Sequence, residues 1–299
     1  MSKDFVQFAS YPARAVALAG HDGTRVAIIG NSITHEDIDP RAFAERLRTL
    51  TGTHVAADIF SADHSYIETW RFMLGRYFWT PGNRVDLVVI PFWGSNLNDG
   101  NELEIGRLAQ FFTTARDWPE VLRSDLHTMA ERSDFLVSSA WATFAARDRM
   151  RELVFTKGLP DYQGYARHEQ DVLVMNRLAR AEARPKQRRT WDALQRLLGE
   201  AREHGTRLVF IAFPTRHAEW TDRLESLVRL IDESGMHYLD LRDVTDVNEK
   251  SYVDLVHMNR TGRAAFTPRL AASVAPLIRC TGSGCGRLSA AVSADVVRD

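Results

Sequence analysis

The sequence predicts an α/β fold built on a five-stranded, mostly parallel sheet. Five short apolar runs alternate with longer segments in which apolar residues recur at the i, i+3, i+4 spacing of an amphipathic helix. The runs 85–93 and 207–213 are almost continuously apolar, which is typical of strands that are covered on both faces. Strands that alternate with helices pair in parallel, so we expect a layered α/β sheet.

The individual elements follow from these two periodicities. The predicted strands are the compact apolar runs, which cover 25–30, 54–60, 85–93, 207–213 and 236–241. The predicted helices lie between and after them, at about 38–51, 65–78, 220–234 and 261–278. In the helix before the last strand, for example, Trp220, Leu224, Leu227, Val228 and Ile231 form one apolar stripe.

The alternation breaks between about residues 101 and 205. This stretch contains no convincing strand but four helical patterns, at 117–132, 134–156, 168–183 and 187–204. It is too long for a bare loop, so we predict one domain over 1–299 that carries a helical insertion. Its aromatic stripes are typical of packing between helices, with a lid over a binding site as the alternative. We expect the Gly- and Ser-containing tail at about 279–299 to be flexible.

Composition limits the possible partners. The 299 residues are 44% hydrophobic and 26% charged with a net charge of -1, as in a soluble globular protein without a field that attracts nucleic acid. No run approaches the roughly 20 apolar residues of a membrane span, and the N-terminus is not a convincing signal peptide. We therefore expect a cytoplasmic protein. The two cysteines, Cys280 and Cys285, cannot by themselves form a structural zinc site.

Polar residues follow three of the predicted strands. Residues 30–34 (GNSIT) follow the first, 94–99 (GSNLND) the third, and 254–257 (DLVH) lie just past the fifth. In a parallel sheet, ligands bind beyond the carboxyl ends of the strands, so we expect these loops to converge there. Together they supply a serine, an amide side chain and an Asp/His pair.

These residue types point to nucleophilic catalysis. A serine hydroxyl needs a base that removes its proton in the transition state, and His257 can serve. Asp254, three residues earlier, can orient the imidazole and stabilise its cation. A serine in a strand-to-helix turn also places its own N–H where an oxyanion forms, and Asn96 can add a side-chain donor.

The same three blocks resemble those of the SGNH (GDSL-type) hydrolases. Residues 30–34 resemble the nucleophile block GDSxT, 94–96 resemble the start of the GxND block, and 254–262 resemble the last block, DxxHxNxxG. Taken singly, each block is also compatible with ordinary capping and turn residues. Three blocks in order, each after the expected strand, favour catalysis. The resemblance covers roughly residues 25–100 and 206–278.

The resemblance implies a flavodoxin-like three-layer α/β/α fold and serine esterase, lipase or acyltransferase chemistry without metal or cofactor. It implies Ser32 as nucleophile, His257 as base, Asp254 as its orienting carboxylate and Asn96 as an oxyanion donor. His64, Arg216 and His217 are expected pocket neighbours. Arg216 is a candidate for reading an anionic acyl carrier or substrate, although a surface ion pair is the simpler interpretation.

The sequence departs from the family pattern at two places. The second block of the family carries a glycine whose N–H joins the oxyanion hole, whereas residues 61–65 (SADHS) contain none. We expect the N–H of Asp63, or of Ala62, to donate instead, with the Asp63 carboxylate turned away or paired with His64 or an arginine. Leu97 replaces the aspartate of the third block, and Asn98 is a second candidate for the amide.

The predicted function is a serine hydrolase that cleaves an ester of a small-molecule or carrier-linked acyl substrate through an acyl-Ser32 intermediate. The first alternative is a biosynthetic O- or N-acyltransferase that uses the same residues. The second is a ligand-binding member of the fold in which loss of the second-block glycine has removed activity. The oligomeric state and the acyl group are left open.

Overall fold

The fold was analysed in a computed structural model. The structure describes residues 3–101, 103–162, 190–216 and 225–279, together with positions 164, 165, 168 and 172. His217, both cysteines, the tail and most of the predicted helix 168–183 lie outside these residues.

A five-stranded parallel sheet forms the centre of the fold, in the order β2-β1-β3-β4-β5. The strands are β1 Thr24–Gly30, β2 Val55–Ser61, β3 Leu87–Phe92, β4 Arg207–Ala212 and β5 His237–Asp240. From β1 the chain continues to β2 on one side of the sheet, and from β3 it continues to β4 on the other side. The reversal of strand order between β1 and β3 is where an open α/β sheet leaves a crevice for ligands. The predicted α/β sheet is thereby confirmed.

Helices cover both faces of the sheet. In chain order they are α1 Lys3–Ala19, α2 Ser32–Asp37, α3 Pro40–Thr51, α4 Ile67–Tyr77, α5 Ile105–Arg107, α6 Trp118–Glu120, α7 Met129–Ala140, α8 Ala142–Ala145, α9 Arg147–Gly158, α10 Asp192–Glu203, α11 Glu225–Glu233 and α12 Arg260–Arg279. Short π-helical turns, Leu108–Phe112 and Val121–Asp125, continue α5 and α6. None of these helices is long and apolar enough to span a membrane, over the part of the chain that the structure describes.

Alternate strand residues contact the two helical layers. On β1, Ala27 and Ile29 pack in the cluster that contains α1, α4 and α10, whereas Val26 and Ile28 pack against α3 and α12. This alternation is the period-two pattern of a strand that is buried on both faces. The result is the three-layer α/β/α arrangement that the resemblance implies.

Helix α1 was not predicted from the sequence. Its buried stripe is Phe8, Tyr11, Ala15 and Leu18, with the spacing of an amphipathic helix. The Tyr11 hydroxyl donates to the Ser61 carbonyl at 2.6 Å, which attaches α1 to the end of β2. Pro12 lies inside the helix, and a proline at such a position ordinarily argues against one.

Within the insertion, the helix boundaries differ from the predicted 117–132 and 134–156. Thr128 and Glu131 form a capping box that starts α7, so the first pattern is interrupted there. The Asp99 carboxylate accepts the N–H groups of Asp192 and Ala193 at 2.6 and 2.9 Å, which starts α10 at 192 rather than 187. Phe112, Val121 and Phe135 belong to the main core cluster. A lid formed by the rest of the insertion stays a prediction.

Candidate active site

Ser32 is the first residue of α2, directly after β1. Asn31 is the N-cap, and its side-chain oxygen accepts the Ile33 N–H at 3.3 Å. The turn is tight, because a Cβ at Gly30 would lie 2.1 Å from the Thr34 hydroxyl oxygen. Glycine at position 30 therefore allows the strand to turn directly into the helix, and the half-buried Ser32 side chain lies at the carboxyl end of the sheet.

His257 and Asp254 come from the loop between β5 and α12. The Nε2 atom of His257 lies 2.8 Å from Ser32 Oγ, across 225 residues of sequence. Its Nδ1 atom lies 2.8 Å from Asp254 Oδ2, and the other Asp254 oxygen accepts the His257 backbone N–H at 2.7 Å. The structure thus brings the serine, histidine and aspartate into one continuous hydrogen-bonded line.

The protonation of this line suits proton transfer. Burial alone lowers the pKa of His257, whereas the hydrogen bond to Asp254 and the nearby carboxylates raise it, and the net shift is upward. Burial raises the pKa of Asp254, but its hydrogen bonds with His257 outweigh burial and lower it overall. The lowered pKa keeps Asp254 ionised near neutral pH, so its carboxylate can stabilise a positive charge on the imidazole ring.

Asn96 is buried, at 4% exposure, in the loop after β3. Its side-chain oxygen accepts the Trp93 N–H at 2.9 Å and the Asn31 side-chain amide at 3.3 Å. Among the described residues, no acceptor lies within hydrogen-bond distance of its Nδ2. The alternative amide, Asn98, accepts the Trp191 indole N–H at 3.0 Å. Both asparagines accept through their side-chain oxygen, so the difference between them is one of position: Asn96 bonds to Asn31, the residue before Ser32, whereas Asn98 bonds to Trp191.

The loop after β2 contains the departure from the family pattern. The Ala62 N–H donates to the Gly30 carbonyl at 3.0 Å, whereas the Asp63 N–H has no acceptor within the described ranges. Of the two predicted oxyanion donors, Asp63 is thus the one that is not used by the fold. The next residue, His64, adopts a left-handed backbone with a φ of 54°, a conformation that favours glycine.

The side chain of Asp63 approaches helix α2. Its carboxylate lies 3.5 Å from Nδ1 of His35. The arginine in this region is Arg107, whose guanidinium donates to the Asp63 backbone carbonyl. His35 stands three residues after Ser32, a spacing that indicates a polar neighbour of the site. Arg107 comes from the insertion, and no local pattern points to it.

The remaining predicted neighbours are only partly placed. The Arg216 N–H donates to the Leu255 carbonyl at 3.2 Å, so this residue adjoins the loop that carries His257, with its side chain exposed. His217 lies outside the described residues. In the portion of the chain that the structure covers, no group of three or more His, Cys, Asp or Glu side chains could hold a metal ion.

Solved structures that resemble this chain include two at low identity. An α/β hydrolase enzyme from the metagenome of Lake Arreo, Spain, has a TM-score of 0.42 and 11% identity over 88% of this chain and 99% of its own. A candidate acylhydrolase from Bacteroides fragilis NCTC 9343 has a TM-score of 0.41 and 10% identity over 93% of this chain and 100% of its own. No protein-family model and no curated protein matches the sequence. Since both TM-scores are below 0.5, the interpretation of the site rests on its own geometry.

Proposed function

We propose that this protein is a serine hydrolase of the SGNH type that cleaves carboxylic esters through an acyl-Ser32 intermediate. The observation that carries the proposal is the pair of 2.8 Å contacts that join Ser32 to His257 and His257 to Asp254. The order of the three sequence blocks supports it. The substrate class that we propose is a small-molecule or carrier-linked acyl ester.

Acylation begins when Ser32 Oγ attacks the acyl carbon of the ester. His257 Nε2 accepts the Ser32 proton as the bond forms, and Asp254 stabilises the resulting imidazolium. The carbonyl oxygen becomes an oxyanion, for which Asn96 Nδ2 and the N–H groups at positions 32 and 63 are the available donors. The imidazolium then protonates the alcohol oxygen as the C–O bond breaks, and the alcohol leaves.

Deacylation repeats these steps with water as nucleophile. The water oxygen attacks the acyl carbon of acyl-Ser32 while His257 accepts a proton from the same water molecule. Collapse of the second tetrahedral intermediate releases the carboxylic acid, and the proton returns from His257 to Ser32 Oγ. An acyltransferase differs only here, because an alcohol or amine acceptor takes the place of water.

A fluorophosphonate probe tests the proposal directly. We expect intact-mass measurement to show one covalent adduct on the wild type and none on Ser32→Ala. Ser95→Ala, which alters an exposed serine in the neighbouring β3 loop, serves as the matched control and should label like the wild type. Short p-nitrophenyl esters should be hydrolysed by the wild type and by Ser95→Ala only.

The outcomes separate the three candidate functions. Absence of both the adduct and ester hydrolysis refutes the enzyme and leaves the ligand-binding alternative. Where hydrolysis is seen, addition of acceptor alcohols or amines distinguishes the other two. A fall in released acid that is matched by acylated acceptor identifies an acyltransferase, whereas unchanged acid release identifies a hydrolase.

A further inference from the structure

Asp37 is a buried carboxyl group behind the proposed catalytic histidine. It is the last residue of α2, and its side chain is fully buried. Its Oδ1 accepts the backbone N–H of Met258, the residue after His257, at 2.7 Å. Its Oδ2 is also buried and has no hydrogen-bond partner within the described chain. A buried carboxyl group of this kind is costly to keep unless it has a specific use.

Helix α2 connects this contact to the nucleophile. Ser32 is its first residue and Asp37 its last, so the two are separated by about 7.5 Å along one short helix. The Asp37–Met258 hydrogen bond therefore attaches the histidine segment to the same rigid element that carries Ser32. On the other side of the ring, Asp254 accepts the backbone N–H of His257 itself. Two successive backbone N–H groups, at 257 and 258, are thus fixed by carboxyl groups.

We propose that Asp37 is a positioning residue, which sets the distance between His257 Nε2 and Ser32 Oγ by holding Met258 against the end of α2. The inference rests on the proposed function, since it concerns the geometry of the same proton transfer. Asp37 does not contact the reacting atoms. Its effect passes through the backbone of the histidine segment, and a shift of about 1 Å at a reacting pair can cost about a hundredfold in rate.

The contact that Asp37 makes is that of a hydrogen-bond acceptor, since its Oδ1 accepts the Met258 N–H. Burial raises its pKa to about 8, and the nearby Asp254 and Glu36 carboxylates add to the rise. The Met258 N–H and His257 act in the opposite direction, and Tyr252 is the other titratable group beside it. An asparagine at this position reproduces the acceptor oxygen without the carboxylate charge, so it separates the hydrogen bond from the charge.

Two substitutions at position 37 test the inference by comparison with the wild type. Asp37→Ala removes the acceptor, and we expect kcat for p-nitrophenyl ester hydrolysis to fall by about 10- to 100-fold with KM within about twofold. Asp37→Asn keeps an oxygen at the same place and should restore kcat to within about threefold of the wild type. The rate of fluorophosphonate labelling at Ser32 should follow the same order. If Asp37→Ala does not fold, Asp37→Ser replaces it. The serine Oγ is one bond closer to its own backbone than the aspartate Oδ1, so it does not reach the Met258 N–H.

A control separates positioning from general loss of stability. Asp125→Asn removes the charge of another buried carboxylate, whose neighbours Val121 and Leu126 pack in the opposite helical layer, and it should leave kcat per folded molecule unchanged. The inference is overturned if Asp37→Ala keeps wild-type kcat, or if Asp37→Asn loses as much activity as Asp37→Ala. A wild type that shows neither a Ser32 adduct nor ester hydrolysis refutes the proposed function itself, which is a different result.

Discussion

Two polar clusters are built into this protein, and they use charge in different ways. In the proposed catalytic set, Ser32, His257 and Asp254 form a line that ends at a half-buried serine hydroxyl. The second cluster, called here the Arg71 cluster, comprises Arg71 on α4, Glu120 and Asp125 in the insertion, and Arg196 and Glu200 on α10. Arg71 is 3% exposed and its contacts with carboxylates begin at 2.6 Å.

The difference lies in the groups that each cluster brings together. In the Arg71 cluster two guanidinium groups meet three carboxylates between α4, the insertion and α10, and Nε of both arginines has no hydrogen-bond partner within the described residues. Around Ser32, a hydroxyl, an imidazole and a carboxylate form one hydrogen-bonded line. A groove of about 1010 Å³ borders Arg71, and none of the catalytic set lines it. A serine hydroxyl that is hydrogen-bonded to a histidine, and not burial or cavity size, therefore distinguishes the site that is suited to chemistry.

The largest expected effect comes from removing Asp254. Asp254→Ala leaves the His257 ring without its orienting carboxylate, and we expect kcat to fall by about 10³- to 10⁴-fold. The measurement is p-nitrophenyl ester hydrolysis, with Asp243→Ala as an exposed control in the neighbouring loop that should behave as the wild type. Retention of more than a tenth of the wild-type kcat in Asp254→Ala would contradict the assigned role.

The converse prediction concerns the Arg71 cluster. Arg71→Met leaves three carboxylates without their shared cation, so we expect the free energy of unfolding to fall by about 3–5 kcal/mol. Denaturant unfolding measures the change, and Arg46→Met on the exposed face of α3 should alter stability by less than about 0.5 kcal/mol. Labelling at Ser32 per folded molecule should not change. If Arg71→Met is as stable as the wild type but is not labelled at Ser32, the Arg71 cluster serves activity and not stability, which contradicts the prediction.

A smaller effect is expected for the oxyanion donor. Asn96→Ala removes a side-chain donor whose loss costs about 3 kcal/mol, or roughly 10²- to 10³-fold in kcat. Asn98→Ala is the matched control, since Asn98 is engaged with Trp191, and its kcat should stay within a few-fold of the wild type. If Asn98→Ala proves the more damaging variant, the amide is assigned to the wrong residue.

The smallest effect is the pH dependence of acylation. Only neutral His257 can accept the Ser32 proton, and its pKa is raised above the ordinary 6.5. The rate of p-nitrophenyl ester acylation should therefore rise with pH, by about tenfold per unit on the acidic side, through an apparent pKa above 6.5. Stopped-flow measurement from pH 5 to 9 checks this, and a flat profile over pH 5 to 8 counts against His257 as the base.

Much of the α/β sheet could be predicted from the sequence, because the apolar patterns that indicate strands lie within single short segments. Strand β3 and strand β4 appear as apolar runs in the residues themselves, and the structure places their ends within two residues of the predictions. The loops that follow β1 and β3 could likewise be located, since parallel strands bring their carboxyl ends to one edge. Helix α1 shows the limit of this approach, because no predicted element covers it, and its packing against β2 stabilises it although it contains Pro12.

The finer details of the site depend on contacts between distant segments. Whether Ala62 or Asp63 keeps an unused N–H is decided by the hydrogen bond between Ala62 and Gly30. The carbonyl of Asp63 is held by Arg107, 44 residues away. No periodicity in the sequence encodes either contact, because both arise only when the loop after β2 meets β1 and the insertion.

The sequence by itself determined the layered α/β class and the three loops that supply a serine, an amide and an Asp/His pair. Only the tertiary structure decided which amide lies beside Asn31, which carboxylates surround Arg71, and how Asp37 holds Met258. The physical reason is that periodicity reports the burial of each segment against an unspecified neighbour. Hydrogen bonds and ion pairs depend on distances of a few tenths of an ångström between segments as far apart as 37 and 258.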